Sequence, residues 1–385
     1  MTYSVKYSAQ KSNPFSMLRK GQRSHMLNYE MLKTLPKVDL HRHLEGSLRL
    51  ETLVETAREY NLDVPKEIES LRPFVQVTNE PPDASSFLAK FETLRHFYRS
   101  PEMIHRLAYE VVADAARDHV RYLELRFSPQ ALSRVQGFRL EDVTQWVIDA
   151  TQEASRDFNM DVGLILTLVR HNSLEQAKQV AEIGMRNQHQ GIRGLDLAGD
   201  EINFSADPFK GLFVEAHQAG MQCTIHAGEW CGAEAVRFAV EELGAERIGH
   251  GVRATEDQYV LDLLRERQIP LEICLTSNLQ TASVAHIGRH PLRQFMQNKI
   301  PVTLNTDDPR ISNITLTNEF ESAVQHLHIT YEELRQMTFT AIESAFLSSE
   351  KKMRLKQLFS IAWKPTLRDF NAPPSSFPHG NNKSH

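Results

Sequence analysis

Short apolar segments of strand-like composition alternate with helical patterns along most of this 385-residue chain. The predicted strands are residues 37–41, 121–127, 162–169, 194–197, 222–226, 247–250, 270–274 and 301–305. Alternation of this kind is typical of βα units and a parallel sheet. Eight units predict an α/β fold, a closed (β/α)₈ barrel of the TIM type, rather than an open doubly wound sheet. No GxGxxG follows the first strand to favour the open sheet.

No linker and no internal repeat divides the chain, so we expect a single barrel domain over residues 31–365. The first two predicted strands are unusually far apart in the sequence. Helical patterns near residues 50–60, 85–98 and 101–118 fill this interval and predict extra helices inserted after the first strand. Such an insertion lies at the C-terminal face of a barrel, where pockets form.

Both ends of the chain have the composition of loose segments. Residues 1–30 are basic and contain several serines, and we expect a short disordered extension. An organelle transit peptide is the alternative, because such leaders are also poor in acidic residues. Residues 366–385 are rich in Pro, Ser, Asn and Gly and are predicted to form a loose C-terminal tail.

The charge balance and the cysteine content narrow the possible functions. Lys and Arg total 44 against 49 acidic residues, so nothing points to nucleic acid or an anionic membrane as a partner. Cys223, Cys231 and Cys274 form no CxxC pair, which indicates neither a disulfide framework nor a thiolate zinc site. No apolar run is long enough to span a bilayer. We therefore expect a cytoplasmic monomer or homodimer that acts on a small molecule.

Ionisable residues and glycines cluster where five of the predicted strands end. The clusters are HRHLEG at 41–46, DLAGDE at 196–201, HAGE at 226–229, HG at 250–251 and NTDDP at 305–309. In a barrel these strand ends converge on one mouth, so segments far apart in the chain meet in space.

A metal site is predicted from residues of three of these clusters. His41 and His43 are two residues apart on a strand, so both imidazoles can face the barrel axis. With His226 and Asp307 they make a credible zinc set. An HxH pair alone is equally compatible with two surface histidines, but the apolar strand before it and the other strand-end clusters favour the metal.

Three further residues are candidates for the chemistry. Glu229 is a candidate general acid, with a carboxylate favoured by a helix N-terminus as the alternative. His250 is interpreted as a base near the metal, with a hydrogen-bonded core histidine as the alternative. Asp308 follows Asp307 where the chain is already turning, so both can reach the pocket; a solvated Asp-Asp-Pro turn is the alternative.

Motifs of other zinc hydrolases are missing from the sequence. The chain has no HxE with PCxxC, as in cytidine deaminases, and no HExxH, as in helix-borne protease sites. No lysine lies in the fourth predicted strand, which argues against a two-metal barrel hydrolase bridged by a carbamylated lysine. A single metal ion is therefore favoured.

Taken together, the motifs resemble those of the adenosine deaminase family, particularly its bacterial-type members. The motifs are KVDLHRHLEGSLR, YLELRFSP, GLDLAGDE, TIHAGE, ERIGHGV, CLTSN and NTDDP. The resemblance runs from about Lys37 to Leu355. The resemblance implies a barrel with one zinc ion that deaminates adenosine and 2′-deoxyadenosine in purine salvage. The zinc ligands it implies are His41, His43, His226 and Asp307.

The resemblance also implies roles around the substrate. Glu229 would protonate purine N1, His250 would orient or deprotonate the water at the zinc, and Asp308 would contact N7. The residues implied to bind substrate are His43, Glu45, Leu88, Phe91, Gly199 and Asp308. The backbone N–H of Gly199 would meet N3, and Leu88 and Phe91 would belong to an apolar lid over the base.

Glu45 departs from the family pattern. Adenosine deaminases commonly have Asp at this position, where the carboxylate meets the ribose 5′-hydroxyl. A glutamate at this position resembles the pattern of adenine deaminases and other branches. Adenine deaminase, or deamination of another 6-aminopurine nucleoside, is therefore an alternative. A non-catalytic purine-binding barrel is a second alternative, although no metal ligand and no candidate acid has been lost.

Overall fold

Eight parallel strands follow one another around a single sheet in the order in which they occur in the chain. The computed structural model describes residues 27–364. The strands are β1 (Lys37–His43), β2 (Val120–Phe127), β3 (Asp161–Val169), β4 (Ile192–Ala198), β5 (Gln222–Ala227), β6 (Arg247–His250), β7 (Leu271–Ile273) and β8 (Val302–Leu304). Each lies within a few residues of a predicted strand. The predicted (β/α)₈ barrel is therefore confirmed.

The barrel closes between β8 and β1 by hydrogen bonds at the mouth. The Leu40 N–H donates to Asn305 Oδ1 at 2.9 Å. Beyond it, the Asp307 N–H donates to the carbonyl oxygen of His41 at 2.8 Å, and the His43 N–H donates to the carbonyl oxygen of Asp307 at 2.9 Å. These last two bonds extend β1 to His43, two residues further than predicted.

Helices surround the barrel and cover the outer face of the sheet. Within residues 27–364 they are α1 (Tyr29–Thr34), α2 (Leu50–Glu59), α3 (Ile68–Val75), α4 (Ala84–Leu94), α5 (Pro101–Arg117), α6 (Pro129–Ser133), α7 (Leu140–Phe158), α8 (Leu174–Arg186), α9 (Lys210–Gln218), α10 (Ala233–Glu241), α11 (Gln258–Arg267), α12 (Leu275–Gln280), α13 (Leu292–Gln297), α14 (Leu316–Leu327), α15 (Tyr331–Ser344) and α16 (Ser349–Ala362). None of these helices is long and apolar enough to cross a membrane.

The insertion after β1 contains the three predicted helices, which are α2, α4 and α5. It also contains α3, which the sequence analysis did not predict. Pro73 lies inside α3 and interrupts the pattern from which a helix is inferred. The predictions for residues 1–26 and for the tail from residue 365 lie outside the described residues, and α1 begins at Tyr29 within the predicted extension.

Charged side chains fill part of the barrel interior, where aliphatic residues are usual. Arg247 donates from Nε to Glu272 Oε1 at 2.6 Å and also bonds Glu124. Arg126 donates from Nη2 to Glu272 Oε2 at 2.8 Å. All four side chains are buried, and we refer to them as the interior ion network. Because each charge is paired, the network avoids the cost of an isolated buried ion.

Candidate active site

Four potential metal ligands meet at the barrel mouth, at the ends of β1, β5 and β8. One nitrogen or oxygen atom from each of His41, His43, His226 and Asp307 lies within 4.8 Å of the other three. His43 Nε2 is 3.3 Å from His226 Nε2 and 3.4 Å from Asp307 Oδ1. His41 Nε2 is 3.3 Å from the same Asp307 oxygen. The structure thus brings together all four residues that the sequence predicted as ligands.

Two carboxylates behind the cluster determine which imidazole nitrogens face it. His41 Nδ1 lies 2.7 Å from Glu272 Oε2, and His226 Nδ1 lies 2.9 Å from Asp196 Oδ1. A carboxylate can only accept, so each Nδ1 carries the proton and each Nε2 presents a lone pair to the cluster. Despite burial, Arg126 helps hold the pKa of Glu272 and that of Asp196 well below the ordinary carboxyl value.

The donor set fits a divalent cation. His41 Nε2 is buried and has no hydrogen-bond partner within the described residues. Burial lowers the pKa of His43 well below its usual value, which keeps this imidazole neutral. Although burial opposes it, the neighbouring histidines hold the pKa of Asp307 well below the usual range. Three imidazoles, once their Nε2 atoms are deprotonated, and one carboxylate are ligands that Zn²⁺ binds well.

Glu229 lies beside this cluster, in the loop that follows β5. Its Oε2 is 3.5 Å from His250 Nε2, and its Oε1 accepts a hydrogen bond from the Thr281 hydroxyl at 3.4 Å. Burial, and then the negative charges of Asp307 and Glu201, raise the pKa of Glu229 well above the usual carboxyl value. The raised pKa favours the acid form of the side chain, which is the form that has a proton to donate.

A chain of buried hydrogen bonds determines the tautomer of His250. The Leu292 N–H donates to His290 Nδ1 at 3.1 Å, so His290 carries its proton on Nε2 and donates to Asn278 Oδ1 at 3.2 Å. The Asn278 amide nitrogen then donates to His250 Nδ1 at 3.0 Å. Burial lowers the pKa of His250 well below its ordinary value. Neutral His250 thus carries its proton on Nε2, which faces the cluster.

The adjacent residues Asp307 and Asp308 both reach the pocket because the backbone leaves the extended conformation at Asp307. Asp307 has a φ of +62°, in the left-handed region, so the alternation of side chains along a strand no longer applies. Asp308 Oδ1 is buried without a hydrogen bond among the described residues. A Cβ atom at Gly46 would lie 1.7 Å from that oxygen, so only glycine leaves room for Asp308 here.

Above the cluster lies a cavity of about 220 Å³, and ten of the eleven predicted site residues line it. They are His43, Glu45, Leu88, Phe91, Gly199, His226, Glu229, His250, Asp307 and Asp308. The eleventh, His41, is completely buried beneath the cavity.

The Glu45 carboxyl accepts the Ser128 N–H at 2.8 Å through Oε1, and Oε2 has no partner within the described residues. Burial raises the pKa of Glu45 to about 7.

Several residues of the site were not predicted. Asn278 and His290 support His250, and Asp196 and Glu272 support the candidate ligands, as described above. Glu272 lies between Leu271 and Ile273 in a buried strand, and a lone acidic residue in an apolar strand is a signal that could have been used. Arg95, Tyr98, Trp230, Ser277 and Thr281 also line the cavity. Ser277 lies in the CLTSN motif and Trp230 follows the HAGE cluster, whereas nothing in the sequence context of the other three distinguishes them from ordinary helix and loop residues.

A (β/α)₈ barrel with three imidazoles, a carboxylate and a buried Glu of raised pKa at its mouth has the features of a metal-dependent hydrolase. The sequence model of the adenosine deaminase family matches residues 36–360. An adenosine deaminase from Klebsiella pneumoniae is 42% identical over 325 residues, which cover 84% of this chain and 97% of that relative. One from Edwardsiella ictaluri is 41% identical over 322 residues, covering 83% of this chain and 96% of that relative.

A solved deaminase structure has the same fold. An adenine deaminase from Arthrobacter aurescens superposes with a TM-score of 0.79 at 28% identity, covering 85% of this chain and 98% of that one. The chain belongs to the adenosine deaminase family, whose members are metal-dependent enzymes. The resemblance inferred from the sequence motifs is thereby confirmed.

Proposed function

We propose that this protein hydrolyses the 6-amino group of adenosine and 2′-deoxyadenosine, releasing inosine or deoxyinosine and ammonia, with one zinc ion held by His41, His43, His226 and Asp307. The observation that carries the proposal is the pairing of a buried acid, Glu229, with this donor set. Relatives more than 40% identical over nearly their whole length are adenosine deaminases, which supports the choice of substrate. A zinc ion in this position supplies Lewis-acid activation of water.

The protein residues supply the proton and the orientation. Glu229 donates its proton to purine N1, which makes C6 electrophilic. The Nε2–H of His250 donates a hydrogen bond that holds the attacking water, and this water adds to C6. One proton of the water passes to the amino group, which leaves as ammonia when the C6–N bond breaks. The other proton returns to the Glu229 carboxylate, which leaves a C6 carbonyl in the product and restores the acid. General acid catalysis of this kind contributes typically 10²–10⁴-fold to the rate.

The remaining residues of the cavity bind the purine and its sugar. Asp308, whose Oδ1 has no protein partner in the described chain, contacts N7, and the Gly199 N–H meets N3. Leu88 and Phe91 cover the base from α4. Glu45 occupies the position expected for the residue that meets the ribose 5′-hydroxyl. Its buried Oε2 has no partner among residues 27–364 and needs one from the substrate.

Adenine is the second candidate substrate, because Glu45 is longer than the usual aspartate and takes space where a ribose would bind. The test is ammonia release by the zinc-loaded protein on adenosine, 2′-deoxyadenosine and adenine in parallel. We expect turnover of both nucleosides and little of adenine. Turnover of adenine alone would refute the nucleoside assignment, and no ammonia from any of the three would refute deamination of these purines.

A further inference from the structure

One carboxylate holds the loop that carries Glu229. The backbone N–H groups of residues 228–231 all point to Glu201, which follows β4. Gly228 donates to Glu201 Oε1 at 2.6 Å. Glu229, Trp230 and Cys231 donate to Oε2 at 3.1, 3.0 and 3.2 Å. The side chain of Glu201 is buried, so water does not compete for these four bonds.

The loop is also fixed on its other side. Gly228 has a φ of +66°, which turns the chain sharply after β5. Its carbonyl oxygen accepts the Arg253 N–H at 2.9 Å, from the segment that follows β6. The Cys231 thiol donates to the carbonyl oxygen of Glu201 at 3.1 Å. The backbone on both sides of Glu229 is therefore tied to its neighbours, with Glu201 making most of the bonds.

Glu201 does not line the cavity, so its effect on the reaction must be transmitted through the loop. We propose that Glu201 is a positioning residue that fixes the backbone of residues 228–231 and thereby aims the Glu229 carboxyl at the substrate. This inference rests on the proposed function, in which Glu229 is the proton donor. Displacing a reacting group by about 1 Å can reduce the rate by roughly 10²-fold.

The charge of Glu201 has a second effect, on the proton of Glu229. Burial raises the pKa of Glu229 most, followed by Asp307 and then Glu201. His250 and the hydroxyls of Thr281 and Ser283 also face the carboxyl. Removing the charge of Glu201 lowers the pKa of Glu229, so the acid form is lost at a lower pH. The alkaline limb of the kcat profile should move in that direction.

The test compares two substitutions at opposite ends of β5. Glu201→Gln keeps the size of the side chain but replaces one accepting oxygen with a donor that opposes the loop N–H groups. Glu246→Gln is the matched control, because Glu246 accepts the Cys223 N–H at 2.7 Å at the other end of the strand. We expect Glu201→Gln to lower kcat for adenosine by about 10²-fold. KM and bound zinc should change little, and the alkaline limb should shift to lower pH. The control should keep wild-type kcat.

Glu201→Asp separates charge from reach and serves if the glutamine variant does not fold. The aspartate keeps the negative charge on a shorter side chain, so kcat should fall while the alkaline limb stays close to the wild-type position. Wild-type kcat in both Glu201 variants would overturn the proposal. So would an equal fall in kcat in Glu201→Gln and Glu246→Gln.

Amide hydrogen exchange gives a measurement that does not depend on activity. In Glu201→Gln, exchange should become faster for a peptide that covers residues 228–231 and remain unchanged in β5. Unchanged exchange in that peptide would overturn the proposal even if kcat falls. If the wild-type protein releases no ammonia from adenosine, faster exchange confined to that peptide in Glu201→Gln would support the loop contact while the proposed function is refuted.

Discussion

The proton of His250 is placed by residues that do not touch the substrate. The chain of bonds begins at the backbone N–H of Leu292, which has no alternative protonation state, and each later donor follows from the one before. A neutral His250 with its proton on Nε2 donates a hydrogen bond and cannot accept a proton at that atom. The structure therefore favours a role in which His250 orients the water over the role of a base that the sequence predicts.

Asn278→Asp tests this arrangement at a single residue. An aspartate only accepts, so Nδ1 of His250 would have to carry a proton, and neutral His250 would lose the donor on Nε2. We expect kcat for adenosine to fall by about 10²-fold with bound metal unchanged. Asn298→Asp is the matched control, because Asn298 is the partly buried C-cap of α13 and does not line the cavity. Wild-type kcat in Asn278→Asp would show that the tautomer has no role.

At the scale of single elements, α4 closes the cavity with one apolar face. Phe87, Leu88, Phe91 and Leu94 line the cavity and recur at the spacing of one helix side. The rings of Phe87 and Phe91 lie 6.4 Å apart between centroids. Phe91 is only partly buried, which leaves part of its ring available to contact a substrate.

Phe91→Ala should weaken substrate binding and leave the chemistry nearly unchanged. Losing the contact of one large apolar side chain costs about 1.5–3 kcal/mol, so KM for adenosine should rise by at least about tenfold. Phe74→Ala is the matched control, because Phe74 lies on α3 in the same insertion and is 52% exposed. An unchanged KM in Phe91→Ala would contradict the assignment of α4 as the lid.

The elements differ in how much of them the sequence predicts. The eight strands are recognisable because they are buried on both faces and therefore read as apolar runs. The convergence of His41, His226 and Asp307 follows from barrel geometry alone. In contrast, α3 contains a proline. Asn278 lies in the short helix α12 and bonds both His250 and His290, an arrangement that no sequence pattern specifies. Glu201 was part of a noted cluster, but its partners became visible only in the structure.

At the scale of the whole molecule, the interior ion network both stabilises the barrel and supports the candidate metal site. Glu272 bonds Arg126 and Arg247 inside the barrel and His41 at its mouth. The same carboxylate therefore compensates two buried cations and orients a candidate ligand. This explains why charged residues occupy an interior that aliphatic side chains would otherwise fill.

Glu272→Gln should destabilise the entire fold. Removing one partner of a buried ion pair costs roughly 3–5 kcal/mol, because the remaining charges are left uncompensated. The midpoint of thermal unfolding should fall clearly, measured after treatment with a chelator so that lost metal binding does not contribute. Glu266→Gln, at an exposed site, is the control and should leave the midpoint nearly unchanged. Equal midpoints for wild type and Glu272→Gln would contradict the role of the network.

The central claim is that Glu229 supplies a proton for deamination of adenosine beside the His41, His43, His226 and Asp307 site. The most direct measurement is ammonia release from adenosine by wild type and Glu229→Gln with equal bound zinc, over a range of pH. We predict a kcat lower by about 10²–10⁴-fold in Glu229→Gln. Wild-type kcat should be lost as the pH rises through the raised pKa of Glu229, because only the acid form donates. A variant with near wild-type turnover, or a wild type that releases no ammonia, would contradict the account.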